Sequence, residues 1–236
     1  MVTINDTLFI IPARGGSKGL PRKNILPLNG QPLIYYSIHA ARKVTSDENI
    51  CVSTDDEEII QKVEEIGLKV PFKRPKALAS DLASSREVLL HAINYYQNNL
   101  GRNYSKVCLL QPTSPLRTGT HIKEAFKLWN DNIDMVVSVK ESQCNPYYNL
   151  FEENSSGYLE KSKKSDIRRR QDAPKVWEFN GAIYIIALKK FMAVDMFDMK
   201  KIKYVMPDYS SIDIDTHIDF KIAELLIKEN TNGELL

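Results

Sequence analysis

The apolar run Leu8-Phe9-Ile10-Ile11 constrains the fold more than any other feature of the 236-residue chain. It is continuous rather than alternating, so a strand built from it has both faces covered, as in parallel sheets flanked by helices. A polar, Gly-rich stretch follows. From Pro32 onward the apolar residues fall at helical spacing (Leu33, Ile34, Ile38, Ala41, Val44), with Pro32 in the tolerated first turn. The chain therefore opens as strand, loop, helix.

The same unit recurs. A strand is expected over 50–54, ending at Asp55, then an acidic-fronted helix over 57–66 stopped by Gly67, and a short strand over 70–72. A helix over 84–98, a strand over 106–110, a helix over 118–129 and a strand over 134–139 continue the alternation. Strands reappear at 182–187 and 204–206, and 216–229 forms the last helix. Alternating strands and helices imply an α/β fold, a three-layer α/β/α sandwich with a mainly parallel sheet. Between 140 and 175 the periodicity weakens, and Asn154-Ser155-Ser156-Gly157 marks a hairpin within an insertion. The expected organisation is one domain over 1–236 with residues 140–175 as an inserted arm. With 43% hydrophobic residues the chain fills such a core without disulfides.

Lys and Arg number 32 against 30 Asp and Glu, which excludes a broad electrostatic attraction for nucleic acid but leaves room for a local phosphate site. Cys51, Cys108 and Cys144 form no close pair, so zinc-knuckle and redox spacings are absent and reduced thiols in a cytosol are expected. No basic-then-apolar leader opens the sequence, and the longest apolar run, 182–188, is too short to span a bilayer; a soluble cytoplasmic protein with no membrane partner is the reading. The scattered His39, His91, His121 and His217 suggest neither a His-based metal site nor a Ser-His-Asp arrangement.

Five segments carry polar chemistry. The loop Ala13-Arg14-Gly15-Gly16-Ser17-Lys18-Gly19-Leu20-Pro21-Arg22-Lys23-Asn24 sits between the first strand and first helix, where open α/β sheets bind ligands. Its glycines can offer backbone N–H groups to phosphate, and Arg14, Lys18 and Lys23 supply charge. It matches neither dinucleotide nor P-loop spacing; composition alone also allows a solvated loop. In Ser211-Ile212-Asp213-Ile214-Asp215 an extended backbone turns both carboxylates to one side, where they can share a hard cation such as Mg²⁺ with phosphates. Asp215 could equally cap the last helix. Gln111-Pro112-Thr113-Ser114-Pro115-Leu116-Arg117 ends a buried strand, either as a substrate-facing loop or as an ordinary turn. Ser84 with Glu87 reads as a capping box, and the basic run around Arg168-Arg169-Arg170 as a solvated face or an anion site.

Together these segments resemble the CMP-sialic acid synthetases, or acylneuraminate cytidylyltransferases. The resemblance runs from Ile10-Ile11-Pro12-Ala13-Arg14-Gly15-Gly16-Ser17-Lys18-Gly19 through Leu78-Ala79-Ser80-Asp81, Gln111-Pro112-Thr113-Ser114-Pro115-Leu116-Arg117 and Asn180-Gly181-Ala182-Ile183-Tyr184 to Ser211-Ile212-Asp213-Ile214-Asp215. It implies a nucleotide-diphospho-sugar transferase-like fold and transfer of CMP from CTP to the anomeric hydroxyl of a nine-carbon 2-keto acid sugar, for cell-surface glycan synthesis. Arg14, Gly15, Gly16, Ser17, Lys18 and Lys23 would contact phosphates, Asn24 and Ser85 the ribose, Arg74 and the backbone near Ala83 the cytosine. Asp213 and Asp215 would hold Mg²⁺. Lys18, Lys23, Asp213 and Asp215 would be catalytic, and Gln111 and Asn180 would position the sugar.

By the same resemblance, residues 140–175 correspond to a dimerisation arm that brings Arg170 to the sugar carboxylate of a second subunit, making a homodimer. Tyr148 stands where the family has Lys, and Glu178 where it has Arg. These departures leave the nucleotide half intact. A legionaminic acid-type sugar, less hydroxylated at its tail than N-acetylneuraminate, is compatible with the aromatic Tyr147-Tyr148 surface. Two alternatives stand beside this: a cytidylyltransferase for the eight-carbon acid Kdo, whose first loop has a different pattern, and a non-catalytic nucleotide-binding module, which would need neither Asp213 nor Asp215.

Overall fold

The computed structural model describes residues 4–17, 19–80 and 83–231; Lys18 and Asp81 lie outside the described residues. In chain order the elements are β1 (Thr7–Pro12), β2 (Pro27–Leu28), β3 (Gln31–Pro32), α1 (Leu33–Arg42), β4 (Ile50–Ser53), α2 (Glu57–Glu65), α3 (Ser85–Asn98) and β5 (Lys106–Leu109). There follow α4 (Gly119–Lys127), β6 (Met135–Glu141), β7 (Phe151–Glu153), β8 (Leu159–Lys161), β9 (Trp177–Ala187), α5 (Leu188–Phe191), β10 (Lys201–Val205) and α6 (His217–Thr231).

Six strands form one sheet in the order β10-β6-β9-β5-β1-β4. β1 runs parallel to β4 and β5, and β10 parallel to β6. Only β9 is reversed, antiparallel to both its neighbours. The insertion explains the reversal: a chain that returns beside the strand it left, without a helical crossover, pairs antiparallel.

Side-chain alternation along β1 builds the three layers. Phe9 and Ile11 pack with Ile34 and Ile38 of α1, Ile59 of α2 and Ile122 of α4 on one face. Leu8 and Ile10 pack with Leu89, Ala92 and Ile93 of α3 on the other. A separate cluster of Leu20, Leu28, Leu33, Ile214 and Ala223 ties the Gly-rich loop and the β2–β3 hairpin to α6. Among the described residues no helix is long and apolar enough to cross a membrane.

Two expectations change. Residues 70–72 are not a strand. Pro71 has no N–H to donate, and beside edge strand β4 the backbone makes a bond from Arg74 N–H to the Thr54 carbonyl at 2.7 Å instead. β6 also runs on to Glu141, which pairs with Trp177, so the irregular part of the insertion begins after the first residues of 140–175. The hairpin expected at Ser156-Gly157 is formed by β7 and β8, with Gly157 at φ +81°.

Candidate active site

The carboxyl ends of the parallel strands β1, β4 and β5 deliver three polar segments to one sheet edge. A cavity of about 470 Å³ opens there. It brings together Arg14, Ser17, Lys23, Asn24, Arg74, Ala83, Ser85, Gln111 and Asp215 of the expected site residues. Gly15 and Gly16 belong to the loop without lining the cavity, and Lys18 lies outside the described residues.

The loop is held from behind by carboxylates. Gly15 N–H donates to Asp55 Oδ1 at 3.2 Å, so this N–H is already used and is not held free for phosphate. Asp56 caps α2, accepting from the Glu58 and Ile59 N–H groups. It also pairs with Arg22, a residue in the left-handed region at φ +58°, and that guanidinium holds the Asp56 carboxyl below the usual carboxylate range. A Cβ on Gly15 would stand 2.4 Å from Asp56 Oδ2. Close approach of these carboxylates therefore accounts for this glycine. Asn24 completes the loop, its amide donating to the Arg14 carbonyl at 3.0 Å.

In the acidic segment Asp215 does not cap the last helix. Thr216 and Asp219 supply the helix cap: the Asp219 carboxylate accepts from the Asp215 and Thr216 N–H groups, and the Thr216 hydroxyl accepts from Asp219 N–H. Asp215 instead accepts from Lys23 Nζ at 2.9 Å, and Lys23 also donates to the Ile214 carbonyl at 2.5 Å. Asp213 reaches solvent without lining the cavity, yet burial by the protein around it pushes its pKa up; the charge of Asp215 adds to this, while Thr113 and Lys23 oppose it. Asp215, which already holds the Lys23 ammonium group, and the neighbouring Asp213 offer hard oxygen ligands that fit a cation whose remaining ligands are phosphate oxygens and water. Among the described residues no cluster of three His, Cys, Asp or Glu side chains could hold a metal alone.

On the far side, a bulge in β9 shapes the wall. Val137 pairs with Tyr184 but Val139 with Phe179, so residues 180–183 loop out opposite Ser138. Asn180 anchors this bulge rather than lining the cavity: its Oδ1 accepts from Ser138 Oγ and Ala182 N–H, and its Nδ2 donates to Ser211 Oγ. Gly181 is required there by its φ of +76°, and a Cβ would also displace the end of the Gln111 side chain, whose Oε1 would be 2.8 Å away. The fully buried Arg117 donates to the carbonyls of Ala182 and Gln111 and to Ser37 Oγ. Burial pushes its pKa down to about 10, which still leaves it a cation at neutral pH.

A second hollow of about 290 Å³ shares Ser85 and Gln111 with the first and is walled by Phe179, Tyr184, Met196 and Phe197. Arg170 lines neither hollow; it is exposed on the insertion and bonds Gln143. The sequence reading missed Asp55, Asp56, Arg22 and Thr113. The signal for the first two was an acidic pair directly after a strand neighbouring β1, at the carboxyl edge where ligands bind.

A model of the family described as Cytidylyltransferase matches residues 8–221. The chain is 37% identical over 228 residues to a pseudaminic acid cytidylyltransferase of Campylobacter jejuni, covering 94% of this chain and 97% of that protein. It is 36% identical over 234 residues to an N-acylneuraminate cytidylyltransferase of Escherichia coli, covering 96% of this chain but 53% of that longer protein. Among solved structures, CMP:2-keto-3-deoxy-manno-octonic acid synthetase complexed with CTP shares the fold, with a TM-score of 0.68 at 16% identity over 96% of this chain and all of that one. From the loop at Arg14 to the segment at Asp215, the chain belongs to the cytidylyltransferase family that its motifs resemble.

Proposed function

We propose that the protein transfers CMP from CTP to the anomeric hydroxyl of a nonulosonic acid. The observation that carries this is the convergence of Arg14, Ser17, Lys23, Arg74, Ser85, Gln111 and Asp215, from segments far apart in sequence, on one cavity at the carboxyl edge of the sheet. The hydroxyl oxygen attacks the α-phosphorus, the bond to the β-phosphate oxygen breaks, pyrophosphate leaves with that electron pair, and the hydroxyl proton passes to solvent. Such a displacement needs charge neutralisation and in-line placement rather than covalent catalysis. Arg14 and Lys23, with Lys18, supply positive charge to the triphosphate, and Asn24 and Ser85 offer polar groups to the ribose. Asp213 and Asp215 would hold Mg²⁺, which when bound neutralises phosphate charge and makes the attacking hydroxyl more acidic.

The hollow beyond Gln111, with its aromatic and thioether walls, favours a nonulosonic acid whose tail is less hydroxylated than that of N-acetylneuraminate, of the pseudaminic or legionaminic type. The Campylobacter relative's name agrees with the first of these. The insertion exposes Phe151, Tyr158 and Leu159 on its hairpin, a surface suited to a second copy of the chain that would receive Arg170 near its sugar.

Purified protein with CTP, Mg²⁺ and a panel of nonulosonic acids tests this by pyrophosphate release. Product is expected with the less hydroxylated sugars and none from Asp215→Asn. A large preference for N-acetylneuraminate overturns the choice of sugar, and CTP binding without turnover on any sugar returns the chain to a binding module.

A further inference from the structure

We propose that Asp55 is a positioning residue that fastens the phosphate-side loop and the base-side arginine into one nucleotide-reading unit. The proposal rests on the reading of the larger cavity as a CTP site. Asp55 follows β4 directly, and its Oδ1 accepts from two groups at once: Gly15 N–H at 3.2 Å and Arg74 Nη2 at 3.4 Å. The backbone beside it makes the same two connections. Ala13 N–H donates to the Ser53 carbonyl at 2.9 Å, and Arg74 N–H to the Thr54 carbonyl at 2.7 Å. Three consecutive residues thus tether both walls.

The chemistry requires a carboxylate here. Arg74 is only 4% exposed, and burial together with the nearby charge of Arg14 disfavours its charged form, while Asp55 opposes both. Without Asp55 the charge of Arg14 would act on Arg74 without the carboxylate that opposes it there. One Arg74 donor, Nε–H, is buried with no acceptor. A buried donor left unpaired is costly, so Arg74 depends the more on its bond to Asp55 for its place; where it lines the cavity, its guanidinium would meet the cytosine acceptors O2 and N3. Uracil presents a donor at N3, which a fixed arginine rejects. Asp55 touches neither substrate in this arrangement; it acts by holding Arg74 and Gly15 where they are.

The test is calorimetric binding of CTP and UTP to the full-length protein, with steady-state kinetics on the productive sugar. Asp55→Asn, isosteric but uncharged, should weaken CTP about tenfold, the scale of one charge-assisted hydrogen bond. The CTP-to-UTP preference should shrink, and the sugar KM should stay unchanged. In a cycle with Arg74→Met, the double variant should bind CTP no more weakly than Arg74→Met alone by more than about twofold. Asp55→Glu, which keeps the charge but moves the acceptor, should recover affinity only in part and remains readable if Asp55→Asn folds poorly. Unchanged discrimination, additive losses in the cycle, or a parallel fall in every kinetic constant with a lowered Tm overturns the proposal. A wild-type protein that binds no CTP overturns the site assignment itself, which the Asp55 variants alone cannot do.

Discussion

Replacing Gly15 by Ala isolates what the carboxylates behind the loop do. The φ of Gly15 is not in the left-handed region, so Ala is allowed by the backbone. Its Cβ, however, would lie 2.4 Å from Asp56 Oδ2 and 2.9 Å from Asp56 Cβ and Cγ. Real contacts of this kind do not exist, so either Asp56 or the loop must move. If Asp56 yields, α2 loses a cap whose bonds to Glu58 and Ile59 N–H measure 3.0 and 3.1 Å. Such a loss costs about 1 kcal/mol. The pair with Arg22, whose side chain is 39% exposed, adds less than about 1 kcal/mol after solvent screening. The sum is about 1–2 kcal/mol, or roughly 2–8 °C in Tm for a domain of this size. If the loop yields instead, Arg14 and Ser17 leave their places in the cavity, and a displacement near 1 Å can cost roughly 100-fold in turnover.

Differential scanning calorimetry and CTP titration together read both routes. The decisive comparison is the same substitution in an Asp56→Gly background, where the obstructing side chain is gone and Gly still serves as a tolerable cap. There Gly15→Ala should lower Tm by no more than about 2 °C and leave CTP affinity within twofold. An equal drop in Tm in both backgrounds would refute the steric argument.

Other consequences follow from the same geometry. Gly181→Ala forces an L side chain to φ +76° at a cost of about 1–2 kcal/mol, and pushes the Gln111 side-chain end from its place; the sugar KM should rise while the CTP KM holds. Arg117→Met leaves the carbonyls of Ala182 and Gln111 and the Ser37 hydroxyl without their donor, a loss of about 2–4 kcal/mol in urea unfolding that Arg117→Lys should partly restore. Because Arg22 and the α2 N–H groups lower the folded pKa of Asp56, its stabilising contribution is full above the unfolded carboxylate pKa of about 3.9 and is lost as pH falls through the lower folded value. The Tm gap between wild type and Asp56→Gly should therefore be constant at neutral pH and close in strong acid; a gap that persists there counts against the assignment.

The layers were legible in the sequence because periodicity is written into buried residues: Leu8 to Ile11 had to be covered on both sides, and they are. The capping box at Ser84 and Glu87 was legible for the same local reason. What escaped was set by contacts remote in sequence. Nothing near Asn180 says that its amide is taken up by Ser138 and Ser211, because those partners are on other strands and a register shift brings them together. Nothing near Val70 says that the edge of β4 stays largely unpaired there; Pro71 was the hint, and the apolar neighbours outweighed it. At Asp215 two local readings competed, and only the position of Asp219, four residues on, took the cap away from it.

The nearly balanced charge of the chain has its counterpart in how the cavity is wired. Lys23 is matched to Asp215, Arg74 to Asp55 and Arg22 to Asp56, so three of the cations around the loop already have carboxylate partners. A polyphosphate entering such a site does not meet bare charge; it must compete for it. The three pairs differ in what competition does to them. Arg74 and Asp55 are mostly shielded and the Arg22 carboxylate partner also caps a helix, so breaking either disturbs the scaffold. The Lys23 partner differs, because the Asp215 side chain is 75% exposed and caps nothing. Exchange of partners is thus cheapest at Lys23 and Asp215, and the Arg22–Asp56 and Arg74–Asp55 pairs are left to hold the loop and the wall that Arg74 forms.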